Sequence, residues 1–268
     1  MPTNFTLKFE AFPLPDGALR YAYVPWDSEL YGFPFYELRC EDLEPEVLAQ
    51  NLRPWLSGLP ADRPCLVYSK FPVRETALSK VLAEHGFYFV ETMLEIYLSL
   101  AQMTPIIRRQ TGLTRLRLAE ESDLPRLIAI AGTAFSTDRL HLDPNLPPEK
   151  ANQRYARWVE SGFRAGEPVF VFEETRSAKQ IGFFHIRETA PMTVELSLAA
   201  VDVAYRGSGV GAMMYQALLT ECQARGFQTA ITRISVNNMD VFNLFMRLGF
   251  AVRNTLAVLH WFRSPSNE

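Results

Sequence analysis

The chain has 268 residues, a net charge of −3, 48% hydrophobic and 21% charged residues, the balance of a soluble globular protein with room for two modest cores. The negative net charge excludes nucleic-acid binding by bulk positive field, so any anionic ligand must be met by local groups. No apolar run reaches the length of a membrane span, Met1–Asp16 lacks the basic and apolar regions of a signal or transit peptide, and three widely spaced cysteines without a CxxC pair (Cys40, Cys65, Cys222) predict neither disulfide framework nor metal site but core thiols in a reducing cytoplasm.

The first hundred residues read as strand, helix and strand with many aromatics, a small α/β domain over 1–104. Leu78 to Leu98 runs from a helix through His85-Gly86-Phe87 into an apolar strand. Ala101 to Thr114 lacks periodicity and carries Pro105 and Gly112, which predicts a linker over 105–114 and a second domain over 115–268. There, Ser122-Asp123-Leu124-Pro125 starts a helix with Leu124, Leu127, Ile128 and Ala131 on one face. A Pro-rich loop, Leu142 to Pro148, precedes a helix bearing Ala151, Tyr155, Trp158 and Val159. Val169–Glu173 and Ile181–Ile186 read as a hairpin, and Thr193–Val203 as a mostly buried strand. The turn Tyr205-Arg206-Gly207-Ser208-Gly209-Val210-Gly211 follows. The next helix runs to Arg225, its apolar face formed by Val210, Met213, Met214, Ala217, Leu218 and Cys222, and Gly226 suits its C-terminal stop. Phe227–Val236 is a strand. Asn238 or Asp240 caps a short helix bearing Val241, Leu244, Phe245 and Leu248, Gly249 ends it, and Phe250–Phe262 is the last strand. Two helix–Gly–Phe–strand junctions therefore occur, either as a duplicated, partly degraded domain or as a chance recurrence.

Strand, glycine-rich turn and helix together make a phosphate cradle: glycines admit positive φ and close approach of backbone N–H groups, and the helix adds its dipole and unpaired amides. A tight turn alone would also use glycines. A P-loop would end in Gly-Lys-Ser/Thr, whereas Gly211 precedes Ala212 and Met213. A dinucleotide fingerprint needs G-x-G-x-x-G and an acidic residue about 20 positions on; here the spacing is G-x-G-x-G and the positions near Ile231 are not acidic. The pyrophosphate of coenzyme A fits best.

Ala200 to Gly211 resembles the signature of the GNAT acetyltransferase superfamily, with Arg117-Leu118-Ala119 and Asp123-Leu124 upstream and Asn238 and Leu248-Gly249-Phe250 downstream. The resemblance spans about Thr114 to Phe262. It implies an α/β GNAT fold with a mixed sheet splayed at the cofactor strand, preceded by a smaller α/β domain that is a degenerate GNAT-like half if the duplication is real. It implies acetyl-CoA as co-substrate and no metal. Ala199, Ala200 and Val201 would pair with pantetheine like an added strand, amides of Arg206, Gly207, Ser208, Gly209, Val210, Gly211 and Ala212 would hold the pyrophosphate, and Asn238 would contact the pantetheine arm or simply cap its helix. The family's thiolate-protonating Tyr falls at Phe245, which cannot donate a proton, so no catalytic residue is assigned. Glu195, His141, Asp143 and His185 are candidate bases; His85 and His260 read as structural.

Trp26 to Gly32, Phe135-Ser136-Thr137-Asp138-Arg139, Asp143-Pro144, Ala151, Tyr155 and Trp158 are similar to motifs of the dTDP-fucosamine acetyltransferases. This implies a primary-amine acceptor on a nucleotide-linked deoxysugar, with Trp26, Glu29, Arg139 and Tyr155 as substrate contacts. Arg139 suits a diphosphate and Tyr155 a base or sugar face; an aromatic pair at i, i+3 also suits a core. Asp27 and Glu29 are carboxylates hard to place in a core. No nucleic-acid or membrane partner is expected, and a homodimer is compatible with the sequence. The alternatives are a GNAT acting on another small amine or a protein N-terminus, and an acyl-CoA sensor without turnover.

Overall fold

A computed structural model describes residues 7–14, 17–40, 43–103 and 112–264; most of the predicted linker lies outside them. In chain order the elements are β1 (Glu10–Leu14), β2 (Gly17–Tyr23), α1 (Pro25–Tyr31), β3 (Phe35–Arg39), α2 (Pro45–Ser57), β4 (Cys65–Pro72), α3 (Thr76–Glu84), β5 (Tyr88–Ser99), β6 (Thr114–Leu118), α4 (Leu124–Ala134), α5 (Arg139–Leu142), α6 (Pro148–Arg164), β7 (Val169–Glu174), β8 (Gln180–Ala190), β9 (Thr193–Val201), α7 (Val210–Ala224), β10 (Thr229–Ser235), α8 (Met239–Arg247) and β11 (Ala251–Arg263). No helix among the described residues is long and apolar enough to cross a membrane.

The chain forms two compact units. Among the described residues, one contains 7–93, Asp138–Lys150 and 255–264, the other 94–137 and Ala151–Asn254. Strands β5 and β11 each begin in one unit and end in the other.

In the first unit β1, β2 and β3 pair antiparallel, β3 pairs parallel with β4, and β4 pairs antiparallel with β11. The parallel step requires a crossover, which α2 supplies, burying Leu48, Leu52, Trp55 and Leu56. These join Leu38, Val67, Leu78, Leu82 and Phe87 in one core. The sequence pattern of strand, helix and strand understated this unit, which also has the β1–β2 hairpin and α1. The turn of helix α5 was likewise unpredicted; Asp138 caps it by accepting from Leu140 N–H at 2.9 Å.

In the second unit β6, β7, β8 and β9 pair antiparallel, and β9 pairs parallel with β10 after the crossover helix α7. Packed on the sheet are a cluster with α7 and α8 (Phe184, Leu196, Met214, Leu218, Phe245, Leu248) and one with α4 and α6 (Leu127, Ile130, Tyr155, Val159, Phe183, Leu198). Both units thus run antiparallel meander, helix, parallel strand, then helix–Gly–long strand. The junctions match in detail. Gly86 and Gly249 have φ +87 and +92, and Phe87 N–H and Phe250 N–H each donate at 3.0 Å to the carbonyl five residues back, the hydrogen-bond pattern of a left-handed helix stop. The two units thus share both topology and junction geometry.

The three cysteines are buried. Burial pushes the thiol pKa of Cys65 up to about 11 and that of Cys222 up to about 12, keeping both protonated near neutral pH.

Candidate active site

The site begins where β9 parts from β10. Thr193, Val194 and Glu195 pair with Thr229, Ala230 and Ile231, and the ladder ends there. Beyond it, Ala199, Ala200 and Val201 pair only with β8, opposite Phe184, Phe183 and Gly182. Half the backbone groups of an antiparallel strand point away from its partner, so this stretch offers donors and acceptors along one open edge. A recess of about 100 Å³ lined by Glu95, Glu195, Ile231, Thr232, Arg233 and Arg253 lies at the ladder's end. Thr232 Oγ1 donates to Leu196 C=O at 2.8 Å and marks the parting point.

A bulge accompanies the splay. His185 pairs with Leu198 and Ile186 with Leu196, leaving Ser197 extra. The added residue moves the alternation by one. Val194 and Leu196 pack with the α7 cluster, whereas Leu198 and Ala200 pack with the α4–α6 cluster.

The turn after β9 is anchored from several sides. Asp202 accepts from Ala204 N–H at 3.0 Å and pairs with Arg126. Tyr205 OH donates to Glu174 at 2.9 Å. Arg206 donates to the carbonyls of Val201 (3.2 Å) and Thr133 (3.3 Å), so its guanidinium first fixes the loop and only then contributes charge at the rim. Gly207 and Gly209 have φ +74 and +82, and a Cβ on either would meet nothing within 4 Å. The backbone N–H groups of Gly207, Gly209 and Gly211 have no partner among the described residues, and α7 starts at Val210. This is an unpartnered amide cradle at a helix N-terminus, fit for a pyrophosphate. Asn238 caps α8 by accepting from Val241 N–H at 3.4 Å, so the capping reading of that residue holds.

Phe245 does not line an open cleft. It is 1% exposed and packs edge-on against Tyr215 (4.9 Å) and Phe250 (4.7 Å). With no hydroxyl to satisfy, the ring joins the core. Among the base candidates, Glu195 accepts from Arg187 at 2.6 Å and Arg233 at 3.4 Å, and His141 pairs with Asp138. His185 Nε2 stands 2.7 Å from Glu167. His85 Nδ1 meets Val81 C=O at 2.8 Å, as a structural residue would.

The acceptor candidates fall in both units. Trp26 and Glu29 lie on α1, Glu29 exposed and Trp26 partly buried. Asp27 is fully buried, contrary to the expectation that its carboxylate would not belong to a core. It pairs with buried Arg139 at 3.5 Å, whose guanidinium also lies 3.9 Å over the Tyr68 ring and 3.4 Å from His260 Nε2. His260 Nδ1 meets Asp143 at 2.6 Å, and Tyr88 OH donates to Asp143 at 2.8 Å. Burial pushes the His260 pKa down to about 4, so the neutral ring donates from Nδ1 and accepts at Nε2. Sequence reading missed this chain of Asp143, His260, Arg139 and Asp27; no short-range pattern signals it. In the other unit Tyr155 is 8% exposed and stacks on Phe135 at 4.1 Å, the core role that its spacing allowed. Among the described residues no three His, Cys, Asp or Glu side chains gather as a metal set.

A sheet splayed at one strand beside an unpartnered amide turn is an arrangement suited to an extended, anionic co-substrate. The chain belongs to the acetyltransferase (GNAT) family, whose model matches residues 136–250, and is an acetyltransferase. It is 23% identical over 233 residues to the dTDP-fucosamine acetyltransferase of Escherichia coli O6:H1, covering 87% of this chain and 93% of that one. It is 30% identical over 142 residues to Bacillus subtilis YwnH, which carries a phosphinothricin acetyltransferase name, covering 51% of this chain and 83% of the relative. In fold it matches a GCN5-related N-acetyltransferase from Sphaerobacter thermophilus with a TM-score of 0.65 at 17% identity, over 92% of this chain and 78% of the other.

Proposed function

We propose that the protein transfers an acetyl group from acetyl-CoA to a primary amine on a nucleotide-linked sugar. The observation that carries the cofactor assignment is the splay of β9 from β10 beside the unpartnered amides of Gly207, Gly209 and Gly211. That geometry supports pyrophosphate at the turn and pantetheine along Val201, Ala200 and Ala199. Pantetheine laid back along the strand from Val201 would carry the thioester toward the bulge at Ser197. The acceptor assignment rests on similarity across both units to a dTDP-fucosamine acetyltransferase. Arg139 remains the candidate for acceptor recognition. Its charge is already matched by Asp27, so contact with a diphosphate requires exchange of that partner.

Catalysis needs positioning, a neutral amine and a stabilised oxyanion. The exposed edge of β9 supplies backbone amides for the first and third of these needs; the second requires a proton acceptor. The test is thiol release from acetyl-CoA with a panel of amines: a dTDP-linked 4-amino sugar, free amino acids, polyamines and a peptide N-terminus. Preference for the dTDP-linked sugar is expected. Faster turnover of a free amino acid would overturn the acceptor, and tight acetyl-CoA binding without turnover of any amine would favour a sensor.

A further inference from the structure

Three polar side-chain atoms are buried without a partner on neighbouring rungs of β8 and β9: His185 Nδ1, Arg187 Nε and Ser197 Oγ. Buried polar groups are nearly always hydrogen-bonded, so three orphans around one bulge mark a place kept for something else. Ser197 is the bulged residue, His185 pairs with the next one, Leu198, and Arg187 pairs with Glu195. The recess at the end of the β9–β10 ladder includes Glu195.

The fold is specific in placing His185. A Cβ on Gly162 of α6 would lie 2.7 Å from its Nε2 and 2.9 Å from Cε1, so glycine makes room for the ring. After α6 the chain turns through Gly166 at φ +77, and Glu167 N–H donates to Gly162 C=O at 3.0 Å. That turn brings Glu167 Oε2 to 2.7 Å from His185 Nε2. An ionised carboxylate only accepts, so Nε2 carries the ring proton and Nδ1 presents a bare lone pair. His260 is also buried, but both its ring nitrogens have partners. A histidine serving only the core would be satisfied likewise.

We propose that His185, oriented by Glu167, takes up the proton that the acceptor ammonium must lose before it attacks, at the bulge of β9. This rests on the reading of β9 as the cofactor strand. One proton moves from the ammonium to Nδ1, directly or through one water, while Nε2–H stays on Glu167. The freed lone pair forms the C–N bond at the thioester carbonyl. The C–S bond breaks with its electrons on sulfur, and the second amine proton ends on the thiolate. Amide and thiol result, and after the products leave the first proton passes from Nδ1 to solvent, with Nε2–H held on Glu167 throughout. The charged groups facing the ring are Glu167, Arg187 and Glu195. Burial, with Arg187, outweighs the two carboxylates and lowers the imidazole pKa, so the ring is neutral and able to accept near pH 7.

The test compares His185→Gln and Glu167→Gln with the full-length wild type. It follows kcat/KM against pH for acetyl transfer to the dTDP-linked 4-amino sugar, or to the fastest amine of the panel if that sugar does not react. Calorimetry with acetyl-CoA runs alongside. His185→Gln should keep acetyl-CoA affinity, lose about 10²- to 10⁴-fold in kcat/KM at pH 7, and recover as pH rises toward the amine's own pKa. Glu167→Gln should lose less and shift the acid limb to lower pH. A wild-type pH profile in His185→Gln overturns the proposal. Should that variant fail to fold, ¹⁵N spectra of the wild type, with its 4 histidines, decide. His185 must show an unprotonated Nδ1 whose signal moves when acetyl-CoA is added; a protonated Nδ1 overturns the proposal. Failure of the wild type to bind acetyl-CoA would instead sink the cofactor reading.

Discussion

Gly207, Gly209 and Gly211 form one motif in the sequence and three different constraints in the structure. The first two hold positive φ with open space where a Cβ would stand, so a side chain there meets strain before it meets a ligand. Gly209→Val therefore mixes backbone strain with obstruction. Gly211 is helical, and its Cβ would make an ordinary 3.7 Å contact with Leu244. Gly211→Ala should stabilise the protein by about 0.5–1 kcal/mol, seen as a rise in Tm of a few degrees, with acetyl-CoA affinity unchanged. Gly209→Ala should cost about 1–2 kcal/mol and weaken acetyl-CoA binding; equal behaviour of the two variants in calorimetry would contradict the cradle. Phe245→Tyr follows from packing rather than from chemistry. The ring lies between Tyr215 and Phe250, and a hydroxyl buried there costs about 1–3 kcal/mol without a partner. A lower Tm and no gain in kcat are expected; a tenfold gain would show that the hydroxyl reaches the sulfur. The glycine motif was legible because positive φ and a helix start are local demands on the chain. The pairing of Asp27 with Arg139 was not legible, because it joins residues 112 apart in sequence.

At the level of elements, β7 to β11 lie where apolar runs and glycine stops put them, since strand burial and helix termination leave short-range patterns. The bulge at Ser197 leaves none. A strand reading Val-Glu-Leu-Ser-Leu-Ala-Ala looks like plain alternation, and only pairing with β8 reveals that Leu196 and Leu198 face different cores. Gly182 is similar in kind. Opposite Val201 on β8, it reads as an ordinary strand glycine, yet a Cβ there would fall 2.4 Å from Ala200 C=O and 2.7 Å from Met214 Sδ. The absent side chain lets α7 and the end of β9 close on β8. Gly182→Ala should displace one of them, costing about 1–3 kcal/mol as overpacking does. Because the open edge of β9 would move with it, acetyl-CoA affinity should fall together with Tm. A stable variant with unchanged affinity would show that β9 absorbs the methyl without altering its outer edge.

Across the whole molecule, two units of like topology end their parallel ladders within one rung of each other. In the first unit β3 and β4 remain paired from Phe35 and Leu66 to Leu38 and Ser69, where Ser69 Oγ donates to Leu38 C=O at 2.9 Å. In the second the ladder stops after Glu195 and Ile231, beside the corresponding bond from Thr232 to Leu196 C=O. Each unit also buries one histidine whose pKa is lowered chiefly by burial, His260 to about 4 and His185 in the same direction. The consequence for stability has a definite sign. Below the ordinary histidine pKa of about 6.5 the unfolded chain binds protons that the folded chain refuses, so stability falls with pH, and for His260 the fall continues to about 4. That interval corresponds to about 3 kcal/mol for His260 alone. Asp143, held below its usual pKa by its hydrogen bonds from His260, Asn145 and Tyr88 against the cost of burial, adds a loss only at lower pH, as it takes up a proton in the folded state. Urea unfolding measured from pH 7.5 to 4 should therefore show a steep decline in wild type that starts near pH 6.5. In His260→Gln the plateau above pH 7 should be lower, because Arg139 and Asp143 lose a well-placed partner, but the slope between pH 6.5 and 4 should be distinctly shallower, with the remaining slope owed in part to His185. A variant as steep as wild type would mean that His260 titrates in the folded protein as it does in the unfolded chain, and that its bond to Asp143 holds an imidazolium.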